Sequence, residues 1–264
     1  MKSFLRRVHM YLHLLGLDPV RTLRTLRRLP RYYRQRMQLS KQQMAPKRYL
    51  AFGKAYPCLD DYSMTSGIAK GNYFHQDLLV ARKIFENSPQ VHLDVGSRID
   101  GFVAHVAAYR TIRVLDIRPN TQTTPNIDFV QADLMEQPAA DLLACCDSLS
   151  CLHALEHFGL GRYGDPVDFD GYLKGLNNLD KLLKPGGKFY LSVPLGPTRI
   201  EFNAHRVFSL KFLLDVIGDR YRIDTFSYVD DRGDLHENVG LTTQLIESNG
   251  GCQYGCAIFE LTKL

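Results

Sequence analysis

The sequence predicts an α/β protein. Its core is a doubly wound, mostly parallel sheet that ends in an antiparallel strand pair, and a basic helical extension precedes it. Three observations lead there. From residue 73 onward, short apolar runs alternate with segments of helical periodicity, the pattern of a parallel sheet covered on both faces. Acidic residues stand at the carboxyl ends of three successive runs, at Asp94, Asp116 and Asp133. The first 41 residues hold eleven Lys and Arg against Asp18 alone, a net charge of +10 in a chain of +5, so the remainder carries −5.

In chain order, Phe4, Leu5, Val8, Leu12 and Leu15 fall at helical spacing, and Gly16 ends that helix. Asp18-Pro19 starts a second helix as cap and first-turn proline, with Val20, Leu23, Leu26 and Leu29 on one side and arginines on the other. We place the domain boundary after residue 45, giving a basic amphipathic extension over 1–45 and the α/β domain over 46–264. A third helix spans Tyr73 to Asn87 with Phe74, Leu78, Ala81, Ile84 and Phe85 inward, stopped by Ser88-Pro89. Strands follow at 91–96, 112–117, 127–133, 147–152 and 188–194, and a final pair at 221–229 and 255–261.

Composition narrows the function. With 45% hydrophobic and 23% charged residues the chain reads as soluble. No apolar run approaches the roughly 18 to 20 residues that cross a bilayer. Val8 to Leu17, the best secretory candidate, is interrupted by His9 and His13 and lacks a cleavage site, so a cytoplasmic location is expected. The six cysteines show no paired CxxC spacing and read as reduced, buried thiols. A mildly acidic body argues against nucleic acid as a partner. The basic extension suits the inner face of an anionic membrane, or a glycosyltransferase partner.

The chemistry-bearing residues gather at strand ends. Asp94-Val95-Gly96 closes the first strand, where a glycine lets a ligand approach the backbone. Asp116, 22 residues later, stands where a ribose is gripped through its hydroxyls. After the fourth strand comes His-Ala-Leu-Glu-His, with His153, Glu156 and His157 at i, i+3 and i+4, on one face if the segment is helical. His-x-x-Glu-His is also a zinc-peptidase signature, but it lies here at a strand end of a nucleotide-binding sheet rather than in a helix-based site.

H-L-D-V-G-S, the acid in V-L-D-I, Q-A-D-L, L-E-H and the L-K-P-G-G turn at 183–187 together resemble the class I S-adenosylmethionine-dependent methyltransferases, over roughly residues 73–263. D-V-G-S-R-I-D-G-F, H-A-L-E-H-F-G-L-G-R-Y-G-D-P, E-F-N-A-H-R-V-F-S and V-D-D-R-G-D-L-H-E-N look like a bacterial branch of domain-of-unknown-function family 268, which is methyltransferase-like and linked to surface polysaccharide synthesis. The resemblance implies a Rossmann-like domain with S-adenosylmethionine as cofactor. Asp94 and Gly96 would lie by its methionine part, Asp116 on the ribose and Asp133 near the adenine, with Ser97 and Arg98 in the same loop. Arg98 and Asp100 replace two of the usual loop glycines, and Arg98 is expected to pair with the methionine carboxylate or to crowd the pocket.

In the small-RNA 2′-O-methyltransferases and, similarly, the ubiquinone-pathway O-methyltransferases, the post-strand position carries Glu-x-x-Glu-His and binds a divalent ion with a later histidine. The matching set here is His153, Glu156, His157 and His205. Histidine in place of the first glutamate shifts preference from Mg²⁺ toward Mn²⁺, Fe²⁺ or Zn²⁺. With metal, the ion would lower a sugar hydroxyl's pKa; without it, His153 or His157 would be the base. Arg162, Tyr163 and Asp165 form a further acceptor loop. The expected function is O-methylation of a sugar in a bacterial surface glycan or its lipid-linked precursor. A non-catalytic scaffold of the same fold and a metal-dependent hydrolase stand as alternatives.

Overall fold

The computed structural model describes residues 2–43, 50 and 52–264, with side chains from residue 8 except that of Gln43. The boundary expected after residue 45, and the side chains of Phe4 and Leu5, lie outside what is described. The chain divides into two compact units, Met1–Ile68 and Ala69–Leu264.

In the first unit, helix α1 covers Lys2–Leu14 and helix α2 covers Pro19–Gln43. Gly16, with φ 76°, closes α1 in the left-handed region that favours glycine. The Asp18 carboxylate accepts from the Arg21 amide at 2.8 Å, which is the N-cap the sequence predicts. A short 3₁₀ turn at Asp60–Ser63 returns along α2. There Arg28 donates to Asp60 (2.7 Å) and Ser63 (2.5 Å), and Tyr62 donates to Gln35 (2.6 Å). Among the described residues, no helix is long and apolar enough to cross a membrane.

The second unit is built on one eight-stranded sheet. Its strands are β1 (His92–Val95), β2 (Ile112–Asp116), β3 (Ile127–Gln131), β4 (Cys146–Leu152), β5 (Leu183–Leu195), β8 (Tyr221–Val229), β9 (Leu235–His236) and β10 (Gly255–Lys263). β6 (Arg199–Glu201) and β7 (His205–Val207) form a separate hairpin. The spatial order is β3-β2-β1-β4-β5-β10-β8-β9. The first five strands run parallel, and β10 is antiparallel to both β5 and β8. The predicted strands are all present. β5 begins earlier than expected, taking in Lys-Pro-Gly-Gly. The two shortest strands of the β6–β7 hairpin and β9 carry too few residues to show a period-two pattern.

The helices of this unit are α3 (Asn72–Asn87), α4 (Ala104–Ala107), α5 (Gly171–Leu182), α6 (Leu210–Ile217) and α7 (Thr243–Ser248). Strand residues point alternately to opposite faces, so the sheet separates two cores. Leu115, Phe189, Leu191 and Phe259 join Leu176 and Leu179 of α5 on one side. Val114, Tyr190 and Ile258 join Val80 and Ile84 of α3 on the other.

Helix α3 corrects an expectation. Ala81 and Ile84 face the core as predicted, but Phe74, Leu78 and Phe85 are exposed, and Gln76, Asp77, Leu79 and Val80 are buried in their place. The helix is rotated because its inward face carries polar groups with partners waiting. Ser192 donates to the Gln76 side chain at 2.6 Å. Apolar periodicity alone cannot register a buried glutamine. The cysteines are free thiols; Cys146, Cys151, Cys252 and Cys256 are buried, Cys145 is half-buried and Cys58 is exposed.

Candidate active site

The order of the strands reverses between β1 and β4, and in open α/β sheets the crevice at that point takes the ligand. Here β1 ends in Asp94 and Val95. The Asp94 carboxylate is fully buried beneath the following loop, where it accepts from the Ser97 amide (3.1 Å), the Ser97 hydroxyl (2.9 Å) and the Ser150 hydroxyl (2.5 Å). Burial pushes its pKa up to about 7 against the pull of these donors. Asp94 therefore shapes the loop from behind, and its oxygens are spent within the protein. Ser97 serves the same turn.

Gly96 lines the crevice, with φ 77°. Its need for glycine comes from within: an added Cβ would stand 2.7 Å from Ala154 Cβ. A regular helix follows the loop only from Ala104, because residues Ile99–Val103 form a wide turn broken at Gly101. Arg98 borders the crevice. It forks onto Asp100 at the exposed rim, at 2.9 and 2.7 Å.

Two adjoining cavities open here, with Gly96, Asp116, His153 and His157 in the walls of both. One is a small apolar slot lined by Leu115, Ile117, Ala132, Leu134, Ala154 and Phe158, with Asp116 and Asp133 at its edge. The other is a polar bowl of about 1130 Å³ bordered by Tyr73, Asp77, His153, Glu156, His205 and Tyr254. Asp133 stands at the slot, where one oxygen accepts from the Met135 amide at 2.8 Å and turns its own chain. Asp116 is engaged by a residue the sequence reading passed over. Its carboxylate accepts from the Arg118 amide (2.8 Å), Nε (2.9 Å) and a terminal guanidinium nitrogen (2.5 Å). That guanidinium lies 4.6 Å from the centre of the Tyr163 ring. A basic residue two positions past a strand-end acid was the signal available.

His-Ala-Leu-Glu-His is not a helix. His153 leaves β4 with φ 49°, and Leu155–His157 form one 3₁₀ turn. The three side chains still converge. His153 Nδ1 donates to Glu156 Oε1 at 2.8 Å, and His157 Nε2 lies 3.7 Å from the same oxygen. The His157 Nδ1–H donates to the Ala204 carbonyl at 2.7 Å, which fixes the tautomer with a free Nε2 lone pair. Buried His153 Nε2 and Glu156 Oε2 have no partner among the described residues.

The two rings differ electrostatically. Burial opposes charge on His153, but the facing Cys256 sulfur and the Glu156 carboxylate outweigh it, and its pKa stands well above the ordinary value. For His157, burial dominates and lowers the pKa despite Glu156.

His205 comes to the same bowl from the β6–β7 hairpin, but its Nε2 faces Glu201 at 3.2 Å. The set His153, Glu156, His157 and His205 does not form a metal centre. One Glu156 oxygen is committed to His153 Nδ1, and His205 Nε2 turns toward Glu201. Among the described residues, no group of three or more His, Cys, Asp or Glu is arranged to hold a metal ion.

In the loop after the triplet, the Asp165 carboxylate accepts from the amides of Gly159 (2.8 Å), Gly161 (3.1 Å) and Tyr163 (3.1 Å), so it organises the loop. Buried Arg206 clamps the loop from below, donating to the carbonyls of Phe158 (2.6 Å) and Phe169 (3.1 Å). Arg162 and Tyr163 do border the bowl.

Solved structures share this architecture. The N-methyltransferase NodS from Bradyrhizobium japonicum WM9 aligns with a TM-score of 0.50 at 12% identity, covering 74% of this chain and 99% of that one. The 1,6-didemethyltoxoflavin-N1-methyltransferase of Burkholderia thailandensis, with bound S-adenosylhomocysteine, aligns at 0.49 and 16% identity over 71% of this chain and 78% of that one. A putative sarcosine dimethylglycine methyltransferase from Galdieria sulphuraria gives 0.49 and 15% over 71% and 84%. The likeness to NodS establishes the fold as that of the class I methyltransferases. No curated protein sequence matches the chain. The family DUF268, described as a Caenorhabditis protein of unknown function, matches residues 126–258, half of the sequence, from β3 through the fourth-strand triplet into β10. With that match over this fold, the chain belongs to the DUF268 family.

Proposed function

We propose that this protein is an S-adenosylmethionine-dependent O-methyltransferase whose acceptor is a sugar hydroxyl of a bacterial surface glycan or its lipid-linked precursor. One observation carries it: an apolar slot adjoins a polar bowl at the His153–Glu156–His157 turn, the two sharing Gly96, Asp116, His153 and His157. The residues present fit the cofactor. Leu115, Ile117, Ala132, Leu134 and Phe158 would hold the adenine, Asp116 the ribose once Arg118 yields it, and the Gly96-Ser97 backbone the methionine part. When bound, the cofactor supplies an electrophilic methyl group on a sulfonium.

The chain's own residues supply the proton chemistry. His157, neutral through its lowered pKa and held by Ala204, presents Nε2 as the acceptor of the hydroxyl proton. His153, positively charged through its raised pKa, borders the bowl and keeps a buried Nε2–H without a hydrogen-bond partner, a donor for the acceptor oxygen. Glu156 holds the His153 ring from behind, as carboxylates do in His-based catalysis. Two neighbouring rings whose environments push their pKa values apart give a base and a donor. No step is assigned to a metal, because the donor set does not fit one.

The first test is calorimetric titration with S-adenosylhomocysteine, followed by methyl transfer to surface-glycan sugars. Binding is expected for the native chain and is weakened about tenfold or more in Asp116→Ala, which loses charge-assisted hydrogen bonds. His157→Gln is expected to lower turnover by roughly 10²–10⁴-fold with cofactor affinity retained. The pH profile should be bell-shaped. Its acid limb lies below 6.5, where His157 takes up a proton, and its alkaline limb lies above 6.5, where His153 loses one. A second reading, a non-catalytic scaffold, has one observation behind it: Arg118 already occupies Asp116. Absence of cofactor binding in both the native chain and Arg118→Ala would favour that scaffold and end the enzyme reading.

A further inference from the structure

Within the first unit, the chain covers the wrong side of α2 for a helix that folds onto its own core. The returning segment around Asp60–Ser63 engages the polar side, through Arg28, Arg31 and Gln35. Val20 stands in the first turn, and Leu23, Leu26, Tyr33 and Met37 follow at spacings of three to four residues, with one longer interval across Pro30, so that these last four share the opposite face. The five side chains are 54%, 50%, 58%, 60% and 56% exposed. From Val20 to Met37 they span about 25 Å of helix at ~1.5 Å per residue. Leu14, Leu15 and Leu17 extend the exposed apolar surface through the turn before α2.

Arginines border the stripe. Arg24, Arg27 and Arg34 each lie one turn beyond an apolar position and are exposed, and among the described residues none of the three has a carboxylate partner. Other cations of α2 are drawn to Asp60, which leaves these to face outward. A long apolar stripe edged by unpaired arginines, with a tyrosine within it, is complementary to one kind of surface. Apolar side chains enter the acyl boundary while arginines reach anionic headgroup phosphates along their aliphatic stems.

We infer that α2 docks lengthwise on the surface of an anionic phospholipid bilayer through the Leu23–Met37 stripe and its flanking arginines. The docking depends on the first unit alone and stands or falls separately from the reaction proposed above.

The experiment uses the full chain, sedimented with vesicles of phosphatidylcholine alone or mixed with phosphatidylglycerol, at low and high salt. Binding is expected to the mixed vesicles only, with affinity falling as salt rises. Leu23→Gln/Leu26→Gln keeps helix propensity and charge, and is expected to weaken binding about tenfold or more by removing the inserted side chains. Arg27→Gln/Arg34→Gln keeps the stripe, and each lost charge is expected to cost about fivefold, the factor for ~1 kcal/mol per basic residue. Circular dichroism of each variant confirms that the helix is retained. Three outcomes overturn the inference: no binding to mixed vesicles at low salt, equal binding to neutral ones, or anionic binding unchanged in the leucine variant. The last would mean unspecific charge attraction and point instead to an acidic protein partner.

Discussion

Asp94 and His92, two residues apart on β1, form one buried polar chain with β4. Ser150 donates to Asp94 at 2.5 Å, His92 Nε2 lies 3.1 Å from the same hydroxyl, and His92 Nδ1 lies 2.8 Å from Ser148. Burial, with Arg110 nearby, lowers the His92 pKa to about 3, while burial raises that of Asp94 to about 7. The two have opposite consequences for stability. Unfolded His92 takes up a proton below 6.5 and the folded one does not until about 3, so this group removes stability as pH falls through that window. Folded Asp94 keeps a proton up to about 7 that the unfolded chain releases near 3.8, so this group removes stability as pH rises through that window. In Asp94→Asn, the urea midpoint is expected to climb from about pH 4 to 6.5, and in His92→Gln to fall over the same range. Matching slopes in the two variants would show that the pair does not titrate as described. Asp94 was legible as a strand-end acid. Its β4 partner Ser150 was not, nor was Ser148, the partner of His92, because nothing in a strand of alternating small polar residues marks which side chain it will meet across a parallel register.

The junction of β1 and β4 is where elements meet most tightly. Gly96 must be glycine for two separable reasons, its positive φ and the 2.7 Å approach of Ala154. Gly96→Ala is expected to lose about 1–3 kcal/mol in urea unfolding, from left-handed strain together with overpacking. Adding Ala154→Gly should restore part of that loss, since it relieves the contact and leaves the strain. Full restoration, or none, would assign the cost to one cause alone. At this scale the sequence was informative about existence and weaker about orientation. Every predicted strand and the three predicted helices formed, yet α3 turned a different face inward and His-Ala-Leu-Glu-His became a 3₁₀ turn. Helical periodicity assumes that the inward face is apolar. Gln76 and Asp77 violate that assumption, because Ser192 donates to Gln76 and Gln76 in turn donates to Asp77.

For the molecule as a whole, β10 closes the sheet. It lies between β5 and β8, antiparallel to both, and is buried along most of its length. A chain truncated before Gly255 leaves two long, unpaired interior edges and an open core. It is expected to lose cooperative urea unfolding and to aggregate; a sharp transition near the native midpoint would show the sheet to be complete without it. The alternation of short apolar runs with helices determined the α/β class, because burial on both faces demands continuous apolar strands whatever the partner order. The concentration of arginine in the first 41 residues likewise determined that one end of the chain would be basic. What only the tertiary structure decided is which groups remain available. Asp94, Ser97, Arg98, Asp116 and Asp165 all carry functional side chains in sequence, yet each is engaged by a neighbour, while His153 Nε2 and the apolar stripe of α2 are left open. Availability depends on distances between segments far apart in the chain, and those are set by packing and register, not by the identity of the residues themselves.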